Sequence, residues 1–529
     1  MKTLTPAIVL AFAAALLPSL KSHAGDFPPT VKKPAIDEYH GVKVTEDYRW
    51  LEAADDLAVK AWAEAQNRHT RAYLDALPDR KECAAILKSW YDVITPSYGY
   101  VIVRPGRLFA MKFQPPKQQE LLVTLVSAED KGSEKVVLDP NELEPKGQVA
   151  MDWYVPSRDG ETVATCLSEN GSEDGVLHFY QTATGERLPD RIPRVQYPTG
   201  GGSAAWTPDG KTVFYTRYPH AGERAEADLN FFQQVYVHRL GTPESADTYA
   251  VGKNFPRIAE IELHTSHDGR WLLASVANGD GGEFDHHLLD LGQPDVTAWR
   301  QITRFADGIK DAAFARDGSA LYLRSIKDAP RGKVLRLALD GAGAGLKDAV
   351  VVVPESEVVI ESISLTESHL YVTDLVGGPS QVRRFSLTGG GEERLPLPEN
   401  VDVGYLSAME DGSVLFRQRS FTEPNAYYRF DPKNETAVKT ARAGTSPVDF
   451  SDIEVVREFA ESKDGTKVPV SILRRKGTVL DGGNPMLLTG YGGYGISLGP
   501  YFDFTHRLWF DRGGVYAVAH IRGGGEYGE

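Results

Sequence analysis

At 529 residues the chain is too long for one ordinary domain, and 41% hydrophobic with 25% charged residues is the composition of a globular protein with several cores. A net charge of −15, with no Lys/Arg run to offset it locally, opposes contact with phosphate backbones and excludes nucleic acid as an expected partner. Cys83 and Cys166 are the only cysteines, and no Cys-x-x-Cys or Cys/His cluster predicts a metal; both thiols are expected to be unpaired and buried.

Met1 to Ala24 has the layout of an export signal. Lys2 opens it, Ala7 to Leu17 is unbroken apolar, and Ser22-His23-Ala24 places small residues where a signal peptidase reads. The apolar stretch is short for a bilayer span, which needs about 20 residues. Residues 1–24 are therefore assigned as a cleaved signal peptide, and the mature protein as exported, periplasmic or secreted, with no membrane association. In residues 25–95 apolar side chains recur at Leu57, Ala61, Ala65, Ala72 and Leu77, with Trp62 and Tyr73 beside them. That is helical spacing; Pro78 ends the helix and a second follows over about 81–91. The aromatics of this helical arm are expected to be packing residues.

From 96 to 446 short alternating runs are separated by recurring turn pairs. Pro105-Gly106, Asp159-Gly160, Asp209-Gly210, Asp268-Gly269, Asp317-Gly318, Glu367-Ser368 and Asp411-Gly412 lie 44 to 59 residues apart. Asp-Gly between such runs predicts a hairpin in which both turn residues take positive φ. Repetition near 50 residues predicts one four-stranded blade per repeat of a β-propeller, with six to eight blades open because the first and sixth turns are degenerate. Asp285-His286-His287, with Glu283 nearby, is read as solvated histidines on a blade edge and not as a metal site.

Residues 447–529 change texture again. Val455 to Phe459 and Val468 to Leu473 flank a Lys463-Asp464-Gly465-Thr466 hairpin turn. Met486 to Leu488 and Val515 to Ala519 are short, nearly all-apolar runs, each followed by a Gly-rich loop. Such runs suit parallel strands covered on both faces, and the loops after them are where open α/β sheets hold ligands. Gly495-Ile496-Ser497-Leu498-Gly499 matches G-x-S-x-G by letter. It lacks the strand before and helix after that a nucleophile elbow needs, so Ser497 is read as a loop hydroxyl. Arg522 to Glu526 lacks P-loop and dinucleotide spacing and is read as an Arg/Glu pair bracing a turn.

YGGYG at 491–495, GGVYAVAHIRGGGEYGE at 513–529, SKDGTKVPV at 462–470, SFTEPNAY at 420–427, and YHGVKV and DYRWLE in the arm together resemble the prolyl oligopeptidase family of serine peptidases. The resemblance covers nearly the whole mature chain. It implies a β plus α/β fold: a seven-bladed β-propeller inserted after the N-terminal helical arm, then the first part of an α/β-hydrolase domain on which the arm packs. It also implies hydrolysis of short peptides on the carboxyl side of proline through an acyl-enzyme, by a monomer with no metal or cofactor. In the family the matching tyrosine of GYGG donates to the oxyanion, which assigns that role to Tyr491. Tyr494 matches the aromatic lining the pocket before the scissile bond, commonly Phe in the family. The family's nucleophile elbow follows RGGGEYG, so the Ser/Asp/His triad is expected beyond Glu529, and the chain as given is expected to be a fragment without turnover. A basic-residue oligopeptidase of the same architecture, or a non-catalytic propeller module, are the alternatives.

Overall fold

The computed structural model describes residues 27–130, 132–144, 146–339 and 345–528. The proposed signal peptide lies outside them. The chain divides into two compact units, residues 1–89 and 90–529.

In the first unit, strands Ala35–Tyr39 and Val42–Glu46 form a hairpin whose turn residues His40 and Gly41 both have positive φ. Helix α1, Leu57–Asp75, starts at Asp56, whose carboxylate accepts the Ala58 N–H at 2.8 Å. The indole N–H of Trp62 donates to Thr30 Oγ1 at 2.9 Å, and Gln66 donates to the Pro28 carbonyl at 2.9 Å, fixing the entering extended segment along the helix. Helix α2, Arg80–Tyr91, follows Pro78 as the spacing predicts. Tyr73 is exposed and not a packing residue, and Cys83 is half-buried, whereas Cys166 is fully buried. Burial raises the Cys166 thiol well above its usual range, with Asp152 adding to it.

Seven antiparallel four-strand blades follow in chain order, at 97–138, 149–196, 204–251, 259–303, 309–353, 359–394 and 401–443. Blades four and five also touch through one bridging pair, Phe284 with Ile309. Each blade is built from consecutive strands, and the cores lie between neighbours. Phe109 and Tyr154 join blades one and two, and Tyr371 and Phe416 join six and seven. Leu108 and Leu125 pack on Leu415 and Tyr427, which closes the ring between blades seven and one without an exchanged strand. Burying each such side chain contributes about 1.5–3 kcal/mol.

The recurrent turns join the first, innermost strand of each blade to the second, so all seven lie at one mouth of the central pore. Their geometry differs from the expectation. In Ser157-Arg158-Asp159-Gly160 the Gly160 N–H donates to the Ser157 carbonyl at 3.0 Å, and only the glycine has positive φ. Asp159 instead accepts the Glu161 N–H at 3.0 Å, as Asp209 does from Lys211 at 2.9 Å and Asp317 from Ser319 at 3.0 Å. These are type I turns closed by a left-handed glycine, with the aspartate as an internal acceptor. His286 and His287 correct a second expectation. They lie on the third strand of blade four, and His286 is buried against Thr303 Oγ1 at 2.7 Å. Burial lowers the His286 imidazole to about 4.

The last part of the chain forms strands β1 (Ile453–Glu461), β2 (Lys467–Arg475), β3 (Met486–Gly490) and β4 (Val515–Ala519). They pair in the order β1-β2-β4-β3, with β3 and β4 parallel and the other pairs antiparallel. β4 is buried, and Tyr516 and Val518 pack with Phe450, Leu473 and Phe510. Met486, Leu487 and Leu488 on β3 are exposed, so the expected cover on both faces is found for β4 and not for β3.

Candidate active site

Because β3 and β4 run parallel in register, the loops that follow them leave the same end of the sheet. Their backbones zip together. The Gly495 N–H donates to the Gly523 carbonyl at 3.1 Å, and the Gly525 N–H to the Gly495 carbonyl at 3.0 Å. Gly525 N–H also reaches Ser497 Oγ at 3.0 Å, which fixes Ser497 as a loop acceptor. Glycine is required here for two reasons. Gly523 has φ +97°, and a Cβ on it would stand 2.5 Å from the Gly492 carbonyl oxygen, closer than any real contact.

The zipped loops form one wall of a cavity of about 1200 Å³, whose opposite wall is the near mouth of the propeller. Tyr494, Ser497 and residues 520–528 line the first wall, and Phe284, Lys310 and Glu361 belong to the second. Tyr494 is 76% exposed and sits at φ +55°. A bulky residue held in the left-handed region costs on the order of 1–2 kcal/mol, which marks this position as constrained by the loop around it. Tyr491 is 49% exposed, stands outside the cavity lining, and its hydroxyl lies 3.3 Å from where a Cβ on Gly493 would be. The two tyrosines thus share one loop, but only Tyr494 faces the cavity.

Arg522 does not pair with Glu526. Its guanidinium donates to Asp464 and to Thr466 Oγ1 at 3.2 Å, tying the second glycine loop to the β1–β2 hairpin. Arg522 holds the Asp464 carboxyl well below the usual carboxylate range. Glu526 turns inward, 4% exposed, and lies 3.8 Å from His520 Nδ1. The other ring nitrogen of His520 shares a 2.9 Å hydrogen bond with Ser471 Oγ. This serine, histidine and carboxylate sit in a row, yet Ser471 is 2% exposed and paired across the sheet with Val518. No acyl group could reach it, so the row is a buried brace and not a nucleophile. Sequence reasoning missed Ser471 and His520 and gave Glu526 the wrong partner; a histidine directly after the apolar run Val515 to Ala519 is the signal that could have marked them.

The propeller and the sheet also meet directly. Arg457 Nη2 donates to the Gly377 carbonyl at 2.7 Å, in the turn between the second and third strands of blade six.

Residues 28–442 match the family model described as prolyl oligopeptidase, N-terminal beta-propeller domain. The chain belongs to the prolyl oligopeptidase family. It is 28% identical to a prolyl endopeptidase of Elizabethkingia meningoseptica over 537 residues, covering 98% of this chain and 72% of that protein. It is 27% identical to prolyl oligopeptidase A of Galerina marginata, covering 95% and 72%. Among solved structures it superposes on a prolyl endopeptidase, studied for inter-domain dynamics in catalysis and specificity, with a TM-score of 0.84, 30% identity and coverage of 95% and 72%. By family, then, this is a prolyl oligopeptidase-type peptidase, with the seven-bladed propeller and hydrolase-type sheet that its sequence resemblance implies.

Proposed function

We propose that the protein is a serine-type endopeptidase that cleaves short peptides after proline, with the cavity between the glycine loops and the propeller as its substrate chamber. The observation that carries this reading is that one 1200 Å³ space is bounded jointly by the loops after β3 and β4 and by the propeller mouth. A propeller standing over the site restricts entry to small substrates, and Tyr494 offers an aromatic wall for a proline ring. Tyr491 is assigned as oxyanion donor: a preorganised hydroxyl at that step supplies roughly 3 kcal/mol of transition-state stabilisation. The acyl-enzyme would form on a serine outside residues 27–528, and the protein is proposed to work after export, as a monomer without a cofactor.

A preference for basic residues has less support. The cavity lining holds Lys310, Arg324, Arg331, Lys467 and Arg522 against Asp280, Glu361 and Glu526, so a cationic side chain gains no net attraction. The deciding observation is the reading frame after the Glu529 codon. A GGSNGG-like elbow followed by Asp and His supports the peptidase, and a stop codon overturns it in favour of a non-catalytic module. The 529-residue chain itself is expected to release no fluorophore from a Gly-Pro substrate.

A further inference from the structure

At the mouth of the pore away from the hydrolase-type sheet lies a second cavity of about 580 Å³. Its rim is written by one register position of the repeat, the first apex residue of each recurrent turn. That residue is Arg158 on blade two, His267 on blade four and Arg316 on blade five, and it is Glu367 and Glu410 on blades six and seven. Prolines occupy the position on blades one and three, where Arg104 takes the cationic place beside Pro105. Cations or a histidine therefore stand on blades one, two, four and five, and carboxylates on blades six and seven.

Glu367 and Glu410 offset part of the Arg316 charge through space, but among the described residues no carboxylate bonds directly to these cations. Arg104 spends its guanidinium on the carbonyls of Val103, Pro156 and Ser157. Neither Arg158 nor Arg316 has a hydrogen bond or ion pair among the described residues, and Arg316 Nε is buried without a partner. Burial, joined by repulsion from neighbouring guanidinium groups, lowers Arg104 to about 10 and lowers His267 as well; burial also lowers Arg316, although Glu367 and Glu410 pull the other way. Unpaired guanidinium groups converging on a partly dry cavity, in a chain of net charge −15, have the chemistry of a carboxylate receptor.

We propose that the far mouth of the propeller binds peptide carboxylates, with Arg158 and Arg316 as the recognition residues and Glu367 and Glu410 repelling anions from the opposite arc. The ligand class rests on the peptidase reading; the location of the site does not. The carboxylate can be a side chain or a chain terminus, and two probes separate these: Ac-Asp-Asp-NH2 and Ac-Asn-Asn-OH, with neutral Ac-Asn-Asn-NH2 as control, titrated calorimetrically into the 529-residue chain. One or both anionic probes should bind at 20 mM salt, weaken at 200 mM, and lose at least tenfold in affinity in Arg158→Gln/Arg316→Gln. Glu367→Gln/Glu410→Gln, which removes the repelling arc, should tighten binding. Equal binding of the neutral control, or an unchanged affinity in both variants, overturns the proposal. A proline dipeptide titrated in parallel into Tyr494→Ala reports on the other cavity, so failure of the peptidase reading would show there and leave the rim result intact.

Discussion

The imidazole of His520 occupies the space in front of Gly378: a Cβ at Gly378 would lie 2.5 Å from His520 Cε1. One residue belongs to a blade-six turn and the other directly follows β4, so the propeller and the sheet meet through a contact only glycine permits. Gly378 also has φ +130°. Gly378→Ala should therefore lower stability by about 1–3 kcal/mol, measured as a reduced denaturation midpoint. In a double-mutant cycle with His520→Ala the loss should shrink, because the smaller residue vacates the space. Additive losses would mean that the two residues do not press on each other.

Blade six holds a fully buried ion pair. Arg383 donates twice to Asp374, at 2.6 and 2.7 Å, and neither side chain is more than 4% exposed. Burial opposes the Arg383 charge, yet the Asp374 bonds outweigh it and raise Arg383 above its usual value. Asp374→Ala leaves the buried guanidinium with only the half-exposed Glu392, 3.5 Å away, and should cost about 2–4 kcal/mol in chemical denaturation.

His238, in blade three, lies between Asp247 Oδ1 at 2.7 Å and Asp190 Oδ1 at 3.1 Å. Burial lowers its pKa, but Asp247 and then Asp190 raise it further, and the net direction is upward. A raised folded-state pKa means that the stabilisation is fully present below the unfolded value of about 6.5 and is lost as pH climbs through the folded one. The stability gap between wild type and His238→Gln should accordingly be wider at pH 6 than at pH 9. A gap that widens with pH would contradict the pairing.

Gly523→Ala places a methyl group against the Gly492 carbonyl and forces a positive φ on alanine. The two glycine loops should part, with faster amide exchange at Gly495 and Gly525, while the propeller keeps its own exchange pattern.

Much of this architecture was legible in the chain. The spacing of turn pairs locates every blade, and the apolar runs locate β3 and β4. The turn type was not legible, because Asp-Gly serves both a positive-φ pair and a type I turn closed by glycine; Asp159 accepting the Glu161 N–H decides it. His286 escaped because burial is set by Thr303, seventeen residues away on the neighbouring strand. Arg522 and Glu526 are near in sequence but face opposite ways, one to Asp464 and the other to His520, and only the fold brings those partners to them. Tyr491 and Tyr494 were assigned through the family resemblance, and residue chemistry alone does not separate the tyrosine on the cavity wall from the one outside it.

Peptidase function at this site requires peptide binding between the glycine loops and the propeller. Hydrogen exchange of the 529-residue chain should be measured with a saturating N-capped Gly-Pro peptide and with its Gly-Ala analogue. Protection confined to residues 490–498 and 520–528 and to the facing propeller loop at 326–331, stronger for the proline peptide, is the predicted result. Protection elsewhere, or none with either peptide, would contradict it.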